Sequence, residues 1–283
     1  MEYVTLSNGV KMPQLGYGVY QVSNEECERC VKDAISVGYR AIDTAQSYHN
    51  EDAVGAAVAA SGVPRDELFL TTKIWISNGG YEKAKASIDQ SLKNLRSDYV
   101  DLLLIHQPFN DYYGTWRAME EAYRAGKARA IGVSNFYPDR LIDLCRFVEI
   151  QPMVNQVETH VFNQQRQAHE VMVRYGVQHE SWGPFAEGRK DFFTNPVLIE
   201  VGRKHGKSSA QAALRYLLQR DVVVIPKSTH KERIEENIDI WDFTLTEEEM
   251  KRIASLDMGY EGTAVKHFDP EFVRMCNQLK IHD

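Results

Sequence analysis

Asp43, Lys73 and His106 each close a short apolar run, and Tyr48 follows Asp43 by five residues. A phenol with its ordinary pKa of about 10 is a poor acid near neutrality, and an adjacent ammonium lowers that pKa by favouring phenolate. Lys73 can supply the ammonium, and Asp43 can hold it protonated and oriented. A neutral His106 can then hydrogen-bond an incoming carbonyl oxygen and position it. The four make a proton donor for a developing alkoxide, with Tyr48 as the acid. Taken singly they have plainer readings: a structural Asp43–Lys73 ion pair, a lid aromatic and a satisfied core histidine.

Such an acid needs a reductant beside it. The segment from Ile225 to Arg233 leads from an apolar run into a capped helix start, and helix N-termini bind anions. Lys227, Ser228 and Arg233 would converge there on a nucleotide phosphate; the alternative is a solvated, charged helix start. Trp182 ends another run, where a flat aromatic could stack on a nicotinamide ring or close over the core. Ser134, Asn135 and Gln156 offer hydroxyl and amide groups able to bind a carboxamide, and could equally be turn and interior residues.

These residues need a frame, and the sequence supplies a repeating one. Apolar runs rich in branched and aromatic residues span Leu15 to Tyr20, Tyr39 to Asp43, Leu68 to Lys73, Val100 to His106, Ala128 to Ser134, Met153 to Glu158, Val177 to Trp182 and Val222 to Lys227. Helical patterns lie between them, with capping boxes expected at Ser23-x-x-Glu26, Ser208-x-x-Gln211 and Thr229-x-x-Glu232. Gly38 can close the first helix in the left-handed conformation. Tyr81, Ala84, Ile88, Leu92 and Leu95 make one apolar helix face.

Runs such as Val100 to Ile105 and Val222 to Ile225 are apolar on both faces, as parallel strands covered on both sides are. Eight strand–helix units predict an α/β fold, a (β/α)8 TIM barrel, whose active site is built at the carboxyl ends of the strands. A doubly wound open sheet is the alternative, but Gly16-Tyr-Gly18-Val-Tyr-Gln21 breaks the G-x-G-x-x-G fingerprint expected at its first turn. Tyr3 to Met12 reads as a β-hairpin turning at Asn8-Gly9. A helix opens at Thr246-x-x-Glu249, and the tail from Met258 is expected to be irregular and to cover the barrel mouth, with His267, Phe268 and Pro270 as lid residues.

Length and composition agree with one barrel domain over 1–283, since such a barrel takes about 250 residues and 43% of the 283 here are hydrophobic. Lys plus Arg number 33 against 40 Asp plus Glu, a formal charge of −7, which argues against broad nucleic-acid or anionic-membrane binding. Met1 to Gly9 lacks the regions of a signal peptide, and no stretch approaches the roughly 18 apolar residues of a membrane span. A cytoplasmic monomer is expected. Cys27, Cys30, Cys145 and Cys276 are too scattered for a disulfide framework, and the first two continue the buried stripe of Val31, Ala34 and Ile35. No metal site is expected. His179 stands where its strand should be apolar, opposite in parity to Trp182, and is read as a satisfied or mildly destabilising core histidine.

At this point the chain resembles the aldo-keto reductases over nearly its whole length. Gly38-Tyr-Arg-Ala-Ile-Asp43-Thr-Ala-x-x-Tyr48-x-x-Glu51-x-x-Val54-Gly55 resembles the family's first signature, and Ile225-Pro-Lys-Ser-x-x-x-x-Arg233-x-x-Glu236-Asn237 its cofactor signature. Thr71-Thr-Lys73-Ile-Trp75, Leu103-Leu-Ile-His106, Gly132-Val-Ser-Asn135 and Trp182-Gly-Pro-Phe185 follow in the family's order. More narrowly, the chain is similar to short-loop microbial members such as 2,5-diketo-gluconate reductases and prostaglandin F synthase-like enzymes.

The resemblance implies NADPH or NADP+ extended across the barrel mouth and a small-molecule carbonyl substrate, with Asp43, Tyr48, Lys73 and His106 catalytic. It implies that Ser134, Asn135 and Gln156 hold the carboxamide and that Trp182 stacks on the ring. Lys227, Ser228 and Arg233 would take the adenosine 2′-phosphate, and Glu236 and Asn237 the adenine. Gly18, Val19, Gly183, Pro184, Phe185, Thr229 and His230 would complete the cofactor groove, and Tyr20 and Trp75 would line the substrate pocket with Tyr48 and His106. Gln107 stands where many relatives have tryptophan, and Val22 where a pocket aromatic is common; Phe109, Tyr112 and Tyr113 are candidates to compensate.

His230 often has arginine as its counterpart, and imidazole charge fades above about pH 6.5. Preference for NADPH over NADH is therefore expected to weaken between about pH 6 and 8, and equal discrimination at both would count against this role. Two rival readings are a non-catalytic NADPH sensor or regulatory subunit on the same fold, and a lyase using Lys73 as a Schiff-base amine. The intact tetrad opposes the first, and the Asp43 partner, which keeps the amine charged, opposes the second.

Overall fold

The computed structural model describes residues 2–281. Strands Tyr3–Thr5 (β1) and Lys11–Pro13 (β2) pair antiparallel around a turn where Gly9 takes a φ of 88°. Asn8 donates to the Arg129 carbonyl at 2.9 Å, which sets this hairpin against the amino ends of the barrel strands.

The barrel strands are Tyr17–Gly18 (β3), Ala41–Asp43 (β4), Phe69–Ile74 (β5), Val100–Ile105 (β6), Ala128–Ser134 (β7), Val154–Glu158 (β8), Gln178–Trp182 (β9) and Val223–Val224 (β10). All eight pair parallel, each with its successor, in the order β3 to β10. Every expected strand is present. The ring closes where Leu15 bridges Val224 in parallel and the Gly16 amide donates to the Val224 carbonyl at 2.8 Å. The Gly18 amide continues the seam to the Pro226 carbonyl. A Cβ at Gly18 would stand 3.1 Å from the Ile225 carbonyl oxygen, so glycine lets the first and last strands approach.

Helices fill the connections: Asn24–Ser36 (α1), Glu51–Ala60 (α2), Tyr81–Asn94 (α3), Tyr112–Arg124 (α4), Pro138–Phe147 (α5), Arg166–Tyr175 (α6), Pro196–Lys204 (α7), Ser209–Leu218 (α8), Lys231–Ile238 (α9), Glu247–Ala254 (α10) and Pro270–Gln278 (α11). In α1 Cys27, Cys30, Val31, Ala34 and Ile35 are buried, and Gly38 follows with a φ of 108°. Both cysteines are free thiols in the core. Capping boxes form at Ser208 and Thr246. Two expected boxes do not. Ser23 makes no cap bond to the helix, its hydroxyl lying with the Glu25 carboxylate, and α9 takes His230 rather than Thr229 as its N-cap.

His179 is a satisfied core histidine. Thr159 Oγ1 lies 2.8 Å from His179 Nε2 and 3.1 Å from the Val157 carbonyl oxygen. His179 Nδ1 lies within hydrogen-bond distance of His169 Nδ1, 3.1 Å away, linking β9 to α6. Burial pushes His106 and His179 well below the ordinary imidazole range and His267 down to about 4. These groups are neutral in the native state but take protons in the unfolded chain below about pH 6.5. Stability should therefore fall as pH drops from about 6.5 to 5, by roughly 1.4 kcal/mol per unit for each such histidine. Urea unfolding at the two pH values tests this, and an unchanged midpoint would contradict it.

Candidate active site

The carboxyl ends of neighbouring strands bring the expected residues together. Lys73, the penultimate residue of β5, is wholly buried and donates to Asp43 Oδ1 at 2.5 Å and to the Thr44 carbonyl at 2.9 Å. Its third direction faces the Tyr48 hydroxyl at 3.4 Å. Burial works against the ammonium, but Asp43 and Tyr48 outweigh it, and the pKa lies above that of ordinary lysine. A persistently charged Lys73 is a poor Schiff-base nucleophile.

Tyr48 ends a single 3₁₀ turn, Gln46–Tyr48, that comes after β4. Its ring lies 5.5 Å from that of His106 and 5.0 Å from that of Tyr20. The sequence led to an expectation of a lowered phenol pKa; here the net direction is upward, to about 12. Burial raises it most, Lys73 lowers it and Asp43 raises it again. The phenol is thus a fully protonated donor at neutral pH. His106, at the end of β6, is neutral, with Nδ1 3.2 Å from Ser47 Oγ and its ring edge-on to Trp75 at 5.1 Å.

The amide-bearing residues form one chain of hydrogen bonds on the adjoining strands. Ser134 Oγ donates to the Gln156 carbonyl, and Asn135 Nδ2 donates to Ser134 Oγ and to the His106 carbonyl. Trp182 Nε1 donates to Asn135 Oδ1 at 2.8 Å, leaving the half-buried indole fixed at the mouth. Gln156 Nε2 donates to Asp43 Oδ2 at 2.9 Å and to Glu180 Oε2 at 3.0 Å. Glu180 was not foreseen, although it shares the parity of Trp182 on β9 and so belongs on the inner face.

The cofactor segment is placed beyond β10. Ser228 is buried and its hydroxyl accepts from the His230 amide, while its carbonyl accepts from the Tyr17 hydroxyl. Arg29 of α1, also unforeseen, reaches the Thr229 carbonyl. Lys227 is half-buried, His230 and Arg233 are exposed, and among the described residues neither Lys227 nor Arg233 has an ion-pair partner. Glu236 is half-buried and Asn237 buried. Gly18 sits at the seam, and Val19 is fully buried with its carbonyl accepting from Asn50. Gly183 has a φ of 62°, Pro184 is buried and Phe185 packs on Phe192 and Phe193. Two unpaired cations, a fixed indole and the Gln156 amide oxygen along one edge of the mouth suit a phosphorylated nicotinamide nucleotide.

The tail does cross the mouth, but it is more ordered than expected, ending in the nine-residue α11. Glu158, at the end of β8, accepts from Thr263 Oγ1 and from the backbone amides of Ala264 and Val265. Burial raises its pKa, but bonds from His160, Thr263 and Ala264 outweigh this and hold it low. Beyond this clamp the buried His267 lies against Trp182 and Tyr137, and Phe268 is exposed. On the far side Trp75 Nε1 donates to the Leu279 carbonyl at 2.8 Å. Phe109 meets Phe272 of the tail, whereas Tyr112 packs on Phe136 and Tyr113 bonds Asp143 of α5.

Burial, charge and the order of groups around the Tyr48 hydroxyl suit proton delivery to an oxygen on a substrate carbon, and this sets the class: a barrel oxidoreductase acting on carbonyl groups. The chain belongs to the Aldo/keto reductase family, whose model matches residues 6–258. It is 48% identical to the glyoxal reductase of Bacillus subtilis over 256 residues, 90% of this chain and 92% of that protein. It is 47% identical to the 9,11-endoperoxide prostaglandin H2 reductase of Trypanosoma cruzi over 257 residues, covering 90% and 91%. Its fold matches the crystal structure of a Bombyx mori aldo-keto reductase in complex with NADP, with a TM-score of 0.88, 34% identity, and 96% of each chain covered. Among the described residues no helix is long and apolar enough to cross a membrane.

Proposed function

We propose that the protein reduces a small aldehyde, dicarbonyl or open-chain keto sugar with NADPH, and that Tyr48 donates the proton. The observation that carries this reading is the Tyr48 hydroxyl, 3.4 Å from a lysine ammonium that is itself locked to Asp43. The similarity to a glyoxal reductase supports a dicarbonyl, and the NADP complex of the Bombyx mori relative supports the cofactor. NADPH, when bound, supplies the hydride. Lys227 and Arg233 would hold its 2′-phosphate, Trp182 would lie on the nicotinamide, and Ser134, Asn135 and Gln156 would meet the carboxamide. His106, neutral and backed by Ser47, orients the carbonyl oxygen toward Tyr48. Tyr48 gives up its proton as the oxygen gains charge, and Lys73 stabilises the phenolate left behind. Tyr20 and Trp75 would shape the pocket.

The same reading takes the chain as one monomeric, cytoplasmic barrel domain with a small-molecule substrate and neither nucleic acid nor membrane as partner, supported by the charge of −7. NADPH oxidation followed by absorbance against aldehydes, dicarbonyls and keto sugars tests it. Turnover should be fastest with small dicarbonyls. Tight NADPH binding without turnover of any of them would favour a sensor instead.

A further inference from the structure

Glu180 lies on β9, two residues before Trp182, and is 1% exposed. Its carboxyl faces Asp43 from β4 and Lys73 from β5, with Gln156 of β8 between. Its partner on β10 is Val223, which adds no charge. The adjacent His179 belongs to the opposite face, with His169.

We propose that Glu180 is a positioning residue for the reduction: with Asp43 it takes both N–H groups of Gln156, so that Oε1 is the atom left to meet the cofactor's carboxamide. The proposal rests on the NADPH reading above. A primary amide has donors at one end and an acceptor at the other. Asp43 alone would occupy one N–H and leave the second without a partner in a buried site. Two carboxyl groups on the same nitrogen, at 2.9 and 3.0 Å, exclude the flipped amide, which would set Oε1 against the Asp43 carboxylate. Gln156 then accepts an N–H from the carboxamide, and does not donate to it.

The same placement governs the charge of the cluster. Burial, then the Asp43 charge, pushes Glu180 up to about 8, against Gln156 and Lys73. Near neutrality Asp43 and Lys73 balance, and as pH rises through about 8 the cluster gains a negative charge. The native state keeps a proton that the unfolded chain has lost, so this group lowers the folding constant about tenfold per pH unit up to about pH 8.

Glu180→Leu removes the acceptor, and Glu180→Gln keeps an acceptor oxygen but cannot ionise. The affinity of each is compared for NADP+ and for its 3-acetylpyridine analogue, in which a methyl ketone replaces the carboxamide and no N–H is available. The wild type should prefer NADP+ by about fivefold, the scale of one buried neutral hydrogen bond. E180Q should keep that ratio and E180L should lose it. An E180L ratio equal to that of the wild type overturns the role of Glu180, whereas a wild type that binds neither nucleotide overturns the cofactor reading itself. In a second arm, without nucleotide, the folding constant between about pH 6.5 and 8 should fall less in E180Q than in the wild type. If E180L does not fold, Glu180→Ala replaces it in the nucleotide comparison, and a ratio equal to that of the wild type overturns the proposal.

Discussion

Replacing Tyr48 by phenylalanine should lower kcat for carbonyl reduction by about 10²- to 10⁴-fold while NADPH affinity stays within about twofold. The ring contacts with Tyr20 and His106 and the Lys73 cation 5.0 Å from the ring centre all survive the change. Only the hydroxyl is lost, and Lys73 keeps Asp43 and the Thr44 carbonyl, so no buried charge is orphaned. Stability should therefore stay within about 1 kcal/mol of the wild type. Because the phenol pKa is near 12, the acid is fully loaded across the neutral range, and reduction gains nothing from raising the pH. Single-turnover kinetics beside NADPH titration would separate the two quantities. Retention of more than about a tenth of the wild-type rate would remove Tyr48 from the role of proton donor.

Lys73→Met should be the more damaging change to the fold. Methionine fills much of the volume but leaves the Asp43 carboxylate buried without its cation, and breaking a buried pair from one side costs about 3 to 5 kcal/mol. Gln156 still donates to Asp43 Oδ2, which places the expectation toward the lower end. Activity should fall with stability, since no ammonium then faces Tyr48. Adding Asp43→Asn should recover part of the stability and none of the activity. The folded-state pKa of Lys73 is raised, so its contribution is complete below the ordinary lysine value and is lost only as strongly alkaline pH passes the native value. The difference between mutant and wild type should accordingly be flat from about pH 6 to 7, below the range in which Glu180, which Lys73 holds down, titrates. Urea unfolding measures it, and a loss below about 1 kcal/mol would mean that Asp43 is not a buried, unpaired anion in the variant.

The tetrad was legible because each member sits at a strand end and strand ends are visible as the close of apolar runs. The elements that misread were those decided by local geometry or by partners distant in sequence. The first and eighth strands are only two residues long, although both predicted runs span six. They meet at a seam where Pro226 has no N–H to continue the ladder. Ser23 and Thr229 have capping side chains in the right places, but Glu25 engages the first and the chain enters α9 one residue later than the second. Glu180 was within reach of the parity argument applied to His179. The Glu158 clamp was not, because its partners lie more than a hundred residues away and two of the three are backbone groups. The direction of the Tyr48 shift depends on burial, which no spacing reveals.

The grip on the tail has a consequence for how such a protein can change. Glu158 holds Ala264 and Val265 by their peptide N–H groups, which every residue but proline possesses. Two of the three bonds of this anchorage are therefore blind to side-chain identity, and only the Thr263 hydroxyl is not. The cover over the mouth can be rewritten one residue at a time, altering what faces a substrate, while it stays moored to the same carboxylate.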